Sequence, residues 1–313
     1  VEGGVKMQNT TKAPSAAEKK QSIWTGVNRV RVSDFVIAFV ILILSLTCIL
    51  PFLHVAAKSI SSNTAVMSKA VYLWPKDITF EAYASIFRDG QLVHSMFYTI
   101  GITLAFTLVG MIVTICAAYP LSIKGLKGRP FFAFFLMFTM YFSAGLIPEY
   151  LLMSDLGLLN TPWVLILPLA FSPYNMLIMK SFLSSTIPDS LYEAAKLDGA
   201  DHFQILTRIV LPLSKPIIAT LSLFYAVGRW NAYADAKYYI TKKSLQPLQY
   251  LLSNMVLSSG SDAISLSENA AVVSTPEVLQ AATIMFATLP IIMVYPFVQK
   301  YFVKGVMIGS IKE

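Results

Sequence analysis

The sequence predicts an all-α membrane protein with six transmembrane helices and both termini in the cytoplasm. Three observations predict this fold class. Of the 313 residues, 56% are hydrophobic and only 13% are charged, whereas a soluble domain carries about a quarter charged residues. Six apolar runs are spaced along the chain, and Lys and Arg are divided unequally between the segments that join those runs.

The first apolar run extends from Phe35 to about Ala57, and it follows a polar stretch rich in Lys, Ser, Ala and Gln. A helix that crosses the hydrocarbon needs about 20 residues, so this run is long enough. A signal peptide is the competing interpretation, but its apolar region would be about 7 to 15 residues long and close to the start. We therefore expect a poorly ordered cytoplasmic tail over residues 1–30 and a transmembrane domain over residues 31–313.

Five further runs predict the remaining spans. Prolines lie at or near several of their ends, where the missing N–H costs least. Pro168 and Pro173 instead fall inside a run, so they should kink it or leave carbonyl groups facing a cavity. The five runs are Met96–Ile123, Pro130–Met153, Pro162–Phe182, Pro216–Ala236 and Ala281–Val298.

The positive charges predict the orientation. With the N-terminus inside, 16 of the 24 Lys and Arg residues fall in cytoplasmic segments and 7 in outer segments, which leaves Arg229 within a span. Cytoplasmic loops carry an excess of Lys and Arg, so both termini should be cytoplasmic. The formal net charge of +7 then reflects membrane topology and gives little support to a nucleic-acid partner.

Cysteine and histidine offer no site. Cys48 and Cys116 each lie in an apolar run without metal-ligand or redox spacing. The three histidines are far apart in sequence, at His54, His94 and His202. We therefore expect no metal site and no cofactor in this chain. The sequence also lacks the clustered nucleophile, base or metal ligands that an intramembrane enzyme would need.

The loop between the fourth and fifth spans, at about residues 183–215, is the most informative segment. Asp189 or Ser190 can cap a helix that starts at Leu191, with Glu193 in the first turn, where the helix dipole favours an acid. Gly199 should end that helix, because glycine readily adopts the left-handed conformation that closes one.

A second short helix is expected over 201–210, stopping before Pro212, so that the two helices form an elbow on the cytoplasmic face. Leu191, Ala194, Ala195 and Leu197 can present a small apolar ridge to a groove in a partner protein. The alternative is an ordinary interfacial loop that contains one amphipathic helix.

This loop resembles the EAA loop of binding-protein-dependent ABC importers. The family pattern is Glu-Ala-Ala, three residues, Gly, nine residues, then Ile-x-Leu-Pro. Glu193-Ala194-Ala195 precedes Gly199 at that spacing, and Ile209-Val210-Leu211-Pro212 supplies the ending. The resemblance implies a type I ABC importer permease fold and an ATPase-coupling role for Glu193, Ala194, Ala195, Leu197, Asp198, Gly199, Ala200, Ile209, Leu211 and Pro212.

The resemblance also implies the partners. They are a homologous second permease, two ATP-binding subunits and an extracytoplasmic sugar-binding protein. No GxxxxGK[ST] phosphate-binding loop occurs in the sequence, so ATP and Mg would be bound by the partner ATPase, and this chain would be a non-catalytic permease. The expected location is the bacterial inner membrane.

Other segments resemble the carbohydrate branch of these permeases, the maltose-type inner permeases. Arg229-Trp230-Asn231-Ala232-Tyr233 matches the Trp-Asn motif of that branch, and the C-terminal Gln299–Gly305 segment is typical of it. Gln246-Pro247-Leu248-Gln249 departs from the usual Leu-Pro-x-Gly-Leu, since Gln249 replaces the glycine. The resemblance covers about residues 30–313 and implies a sugar or oligosaccharide substrate.

The fifth span also fits a transport path on physical grounds. Arg229 at membrane depth costs about 2.5–3.5 kcal/mol on insertion scales, so it should face a wet cavity or a partner charge such as Asp235. Aromatic faces and fixed polar groups together suit sugars, although the aromatics could instead belong to an interfacial belt. The predicted substrate-path residues are Arg229, Trp230, Asn231, Tyr233, Tyr174, Asn175 and Ser143.

Two alternatives remain. Lys237, Lys242 and Lys243, just outside the fifth span, could favour anionic sugars or could form an ordinary solvated loop. An ion-gradient-driven secondary transporter is the competing function, but such carriers place acids near the bilayer midplane and show inverted repeats. Here the acids near the spans lie at the span ends, and no second half mirrors the first.

Overall fold

The computed structural model describes residues 32–258 and 275–310, and every regular element within these ranges is helical. Short 3₁₀ turns occur at Pro162–Leu165 and Lys243–Leu245. The helices are α1 (Val32–Ser59), α2 (Asn63–Met67), α3 (Glu81–Asp89), α4 (Gln91–Ser122), α5 (Arg129–Tyr141), α6 (Leu146–Asp155), α7 (Pro173–Thr186), α8 (Asp189–Leu197), α9 (His202–Leu213), α10 (Lys215–Asn231), α11 (Ala234–Tyr239), α12 (Leu248–Ser258) and α13 (Pro276–Ser310).

The chain divides into two compact units, residues 1–53 and 54–313. In the first unit, the part of α1 up to Leu53 is apolar around its circumference, and its side chains are exposed. A helix that is apolar on every face belongs in an apolar environment such as lipid. The helical prediction for the first run is thus confirmed, whereas the predicted tail lies outside the described residues.

The second unit has three apolar cores. The largest lies where α7, α8, α9 and α10 pack around α4, and Met176, Leu183 and Leu221 are fully buried in it. The second joins α2, α3, α12 and α13. The third surrounds Leu165 and Ile240, so it positions the 3₁₀ turn at 162–165 against α11. Within residues 58–95, the short helices α2 and α3 therefore pack into the second core.

Three helices in the described ranges, α1, α4 and α13, are long and apolar enough to cross a membrane. Two further pairs qualify only if each bent pair is taken as one span: α5 with α6, bent by 111°, and α9 with α10, bent by 82°. The predicted third run, 130–153, is therefore not straight. It breaks over residues 142–145, where Gly145 has φ +88° and ends the extended stretch.

The predicted fourth span, 162–182, is wrong as a continuous helix. Only α7 is a regular α-helix in this region, and an irregular segment at 156–172 precedes it. Proline disfavours the helical conformation of the residue before it and lacks an N–H to donate. Consequently α7 begins at Pro173, and the Ser172 hydroxyl caps it by accepting from the Asn175 backbone N–H at 3.3 Å.

Candidate coupling elbow and transport path

The elbow predicted at 183–215 is present. Helix α8 runs from Asp189 to Leu197, and Gly199 follows it with φ +79°. Nothing lies within 4 Å of a Cβ added at Gly199, so the backbone conformation is what requires glycine there. The next helix starts with a reciprocal cap, in which Asp201 accepts from the Gln204 N–H at 2.7 Å and Gln204 accepts from the Asp201 N–H at 3.2 Å.

Both predicted helix boundaries need correction. Helix α8 starts at Asp189 with Pro188 as its N-cap and no side-chain cap, because Asp189 instead pairs with Lys124 at 2.5 Å. Helix α9 does not stop before Pro212. Residues Leu206–Val210 form a π-type turn, and the helix continues to Leu213. A proline near the start of a helical turn is tolerated because its missing N–H would be unpaired there anyway.

The predicted apolar ridge divides between two faces. Ala195 is only 7% exposed and belongs to the largest core of its own chain, so its inclusion in a surface ridge was wrong. Leu191 is half-buried against the same core. By contrast, Ala194 is exposed and Leu197 is 89% exposed. Helical periodicity places residues 191 and 195 on one face, one turn apart, and the chain uses that face for its own packing.

The other coupling residues follow the same division. Exposed side chains are Glu193, Asp198 and Pro212, whereas Ala200, Ile209 and Leu211 are half-buried. Sequence reasoning missed Ile205 and Val210, which are fully buried and fix α9 in the core. It also missed Phe203, which is 71% exposed beside the elbow.

Two contacts connect the elbow to the end of α4. The Lys124 ammonium pairs with the Asp189 carboxylate, and the Tyr119 hydroxyl donates to the His202 carbonyl at 3.2 Å. Burial, with the nearby Asp189 carboxylate, raises the pKa of Tyr192. The two contacts place the elbow directly against the C-terminal end of α4 and against Lys124 just beyond it.

At the other end of α10, Arg229 is 3% exposed, and its guanidinium forms hydrogen bonds within its own chain. Its guanidinium donates to both carboxylate oxygens of Asp235 and, at 3.0 Å, to the Leu165 carbonyl. The predicted pairing of Arg229 with Asp235 is confirmed. The Leu165 carbonyl lies in the proline-containing run but is paired with this arginine, so it is not a free carbonyl facing a cavity.

Arg229 and Asn175 line one cavity of about 280 Å³ between α4, α7 and α10. Asn175 is 7% exposed, yet its side-chain amide makes no hydrogen bond within the described part of the chain. Tyr225 also borders this cavity, and its hydroxyl bonds to the Thr114 hydroxyl at 2.7 Å and accepts from the Ser172 N–H at 3.3 Å. The cavity therefore combines aromatic surface with polar groups. Among these groups, the Asn175 side-chain amide has no hydrogen-bond partner in the described residues.

The remaining predicted path residues lie elsewhere. Trp230 is buried, and its indole N–H has no partner among the described residues. Asn231 is exposed and donates to the Val227 carbonyl at 2.9 Å. The others, Tyr233, Tyr174 and Ser143, are exposed and do not line the cavity.

Tyr225 was missed by sequence reasoning, although a signal for it exists. A Cβ added to Gly110 on α4 would meet the Tyr225 ring at 2.9 Å and the Ala170 carbonyl at 3.2 Å. Small residues in apolar helices mark places where another element approaches closely. Gly110 and Thr114, one turn apart on α4, therefore mark the face that receives Tyr225.

The three lysines outside the fifth span are exposed, at 237, 242 and 243, and none has an ion-pair partner in the described ranges. Asn160 fixes the backbone next to Lys242, since its Oδ1 accepts from the Thr241 and Lys242 N–H groups at 2.7 and 3.0 Å. Lys237 is therefore presented from α11, and Lys242 and Lys243 from the hydrogen-bonded segment that follows it.

Comparisons with known proteins agree on one family. Residues 126–308 match the family described as binding-protein-dependent transport system inner membrane component. Two relatives from Bacillus subtilis (strain 168) are 41% identical: the polygalacturonan/rhamnogalacturonan transport system permease protein YtcP, over 90% of this chain and 99% of that one, and Protein LplC, over 84% and 89%.

A solved structure is also similar along nearly the whole chain. A chain in the crystal structure of a bacterial ABC transporter involved in the import of the acidic polysaccharide alginate is 33% identical, with a TM-score of 0.79. The match covers 93% of this chain and 100% of that one.

Proposed function

Because the chain belongs to the family of binding-protein-dependent transport system inner membrane components, we propose that it is a pore-forming subunit of an ATP-driven importer of oligosaccharides. The observation that carries the proposal is the elbow around Gly199. It has the family's spacing, and it presents Glu193, Ala194 and Leu197 to solvent, away from the chain's own core.

The proposed assembly follows from the family. A homologous second permease completes the pore, two ATP-binding subunits bind ATP and Mg, and an extracytoplasmic binding protein delivers the sugar. This chain is the non-catalytic membrane part. Six crossings with cytoplasmic termini require that each bent pair counts as one span. They also require that the irregular segment 156–172 and α7, which follows it, together make one crossing.

The proposed coupling runs through named contacts. The elbow rests in a cleft of the ATP-binding subunit, and closure of that subunit pushes on α8. The Lys124–Asp189 pair and the Tyr119–His202 hydrogen bond pass the displacement to α4, while the π-type turn in α9 passes it to α10. Turns of this type are frequent at functional sites within helices.

The proposed substrate is an anionic oligosaccharide. Two similar proteins are named for acidic polysaccharides: polygalacturonan and rhamnogalacturonan for one, alginate for the other. Three exposed lysines, Lys237 on α11 and Lys242 and Lys243 just after it, would attract such chains at the pore entrance by long-range charge. In the cavity, Asp235 already neutralises Arg229, so the unused Asn175 amide is suited to sugar hydroxyls and not to carboxylates.

The test is uptake into vesicles that contain the complete transporter. We expect ATP-dependent uptake of a labelled oligogalacturonide, with a neutral oligosaccharide of equal length taken up poorly. Glu193→Lys should abolish uptake but leave the protein inserted, because it inverts a charge on the coupling surface. The matched control is Glu81→Lys, which inverts an exposed charge on α3, far along the chain from the elbow.

Three results would contradict the proposal. Uptake driven by an ion gradient without ATP would identify a secondary transporter. Normal substrate-stimulated ATP hydrolysis and uptake in Glu193→Lys would remove the coupling role. Equal uptake of neutral and acidic chains would leave the importer but reject the anionic substrate.

A further inference from the structure

A second cavity lies at the end of the molecule that carries the elbow. Its volume is about 520 Å³, and it opens between the start of α5 and the last turns of α7. Among the described residues, it shares no lining residue with the 280 Å³ cavity that Arg229 and Asn175 line. Its lining consists of Arg129, Leu177, Lys180, Ser181, Ser184 and Ser185.

The charges in this cavity are positive and uncompensated. Arg129 is half-buried and donates through Nε to the Leu121 carbonyl at 2.9 Å, which leaves its terminal nitrogens without a partner among the described residues. Lys180 is also half-buried and forms no ion pair in those ranges. No carboxylate of a described residue lines the cavity. Two half-buried cations with no carboxylate beside them favour an anion from outside the chain.

The hydroxyl groups add donors of suitable type. Ser181 and Ser184 make no side-chain hydrogen bond to any described residue, whereas Ser185 donates to the Phe182 carbonyl at 3.1 Å. Phosphate accepts several such bonds at once, and charge-assisted hydrogen bonds to Arg and Lys are the stronger kind. The cavity therefore offers both positive charge and hydrogen-bond donors for a phosphate group.

The surroundings indicate where that phosphate comes from. Just after Arg129 in the chain, the first turns of α5 carry four exposed aromatic rings: Phe131, Phe132, Phe134 and Phe135. Directly before it, the connection from α4 carries exposed Lys124 and Lys127. This change from lysines to apolar rings within a few residues is typical of the depth of lipid headgroups.

We propose that this cavity binds the headgroup phosphate of an anionic phospholipid, such as phosphatidylglycerol or cardiolipin, with an acyl chain along the phenylalanines of α5. Basic pockets between transmembrane helices bind such headgroups. A zwitterionic lipid carries its own cation and gains less from Arg129 and Lys180. The site is independent of the transported substrate, so it stands whether or not the sugar proposal holds.

The experiment is native mass spectrometry of the assembled transporter after delipidation, titrated with phosphatidylglycerol, phosphatidylcholine or glycerol phosphate. We expect phosphatidylglycerol to bind and the other two to bind weakly. Arg129→Ala with Lys180→Ala should weaken phosphatidylglycerol binding about thirtyfold, as expected for two headgroup-level cations.

Two matched variants separate charge from folding. Arg129→Lys with Lys180→Arg keeps both charges and should retain the lipid. Arg208→Ala with Lys215→Ala likewise removes one arginine and one lysine; both are exposed and neither lines the cavity, so this variant should leave lipid binding unchanged.

The proposal is overturned if both alanine pairs weaken binding equally, or if glycerol phosphate binds as well as the lipid. It is also overturned if a cysteine introduced as Ser181→Cys cross-links to another subunit of the assembled transporter, because a protein would then fill the cavity.

Discussion

The elbow around Gly199 and the region around Arg229 both place charged residues at helix ends, but the chain treats those charges differently. Lys124 and Asp189 form an exposed pair, and the neighbouring Glu193 faces solvent. Arg229 and Asp235 are buried, with side chains that are 2% and 12% exposed. The elbow thus leaves its charged groups exposed to solvent, while the Arg229 region completes its contacts within the chain.

The largest effect should come from Arg229→Ala, which removes one member of the buried Arg229–Asp235 ion pair. Removing one member of a buried pair leaves the other charge uncompensated, at a cost of about 3–5 kcal/mol. We expect a large loss of folded protein, measured as the thermal unfolding midpoint in detergent. The double variant Arg229→Met with Asp235→Leu should recover much of that loss, since no charge is left buried; an equally unstable double variant would contradict the ion-pair explanation.

The next effect separates the two faces of α8. Ala195→Leu inserts volume into the largest core and should lower the free energy of unfolding by about 1–3 kcal/mol. Ala194→Leu adds the same volume on the exposed face, so it should leave stability unchanged and instead weaken retention of the ATP-binding subunits. Thermal unfolding and co-purification measure the two outcomes. Identical behaviour of the two variants would show that the faces are not distinct.

Gly199→Val tests the bend between the helices. A side chain in the left-handed conformation costs about 1–2 kcal/mol, and nothing near Gly199 is crowded. The variant should therefore insert normally but uncouple ATP hydrolysis from uptake. Gly199→Asn is the control, because asparagine tolerates this conformation, and it should couple almost normally. Equal uncoupling by Asn would assign the effect to the added side chain and not to the backbone.

The smallest effect should come from the exposed pair. A double-mutant cycle on Lys124→Ala and Asp189→Ala should give a coupling energy of at most about 1 kcal/mol, decreasing with salt. Both side chains are more than half exposed. The cycle is read from thermal unfolding at low and high ionic strength. A large, salt-insensitive coupling energy would contradict this prediction, because it would show that Lys124 and Asp189 interact as strongly as the buried Arg229–Asp235 pair.

The family was predictable from the sequence because the elbow is a local pattern. The spacing of Glu193, Gly199 and Pro212 lies within one loop, and a glycine with positive φ can be inferred from the helix that it ends. The predicted family is confirmed by the comparisons. The pairing of Arg229 with Asp235 was also predictable, since the two residues are six apart and an isolated charge in a span requires a partner.

The cavities were not predictable in the same way. The 280 Å³ cavity combines Phe106, Asn175 and Tyr225, which are separated by about 50 residues or more. The predicted path residues are therefore divided. Arg229 of the Trp-Asn motif lines this cavity together with Asn175 from α7, whereas Asn231 and Tyr233 of the motif do not. Which of the seven contact the sugar stays a prediction.

The amino-acid sequence by itself determined the apolar helices, the elbow and the charge that must be neutralised, because hydropathy, proline, glycine and short-range pairing act over a few residues. Only the tertiary structure decided which face of α8 is buried, that the fourth apolar run is not one continuous helix, and that Arg129 and Lys180 share a cavity. Those outcomes depend on packing between distant segments, whose combined contacts outweigh local preference.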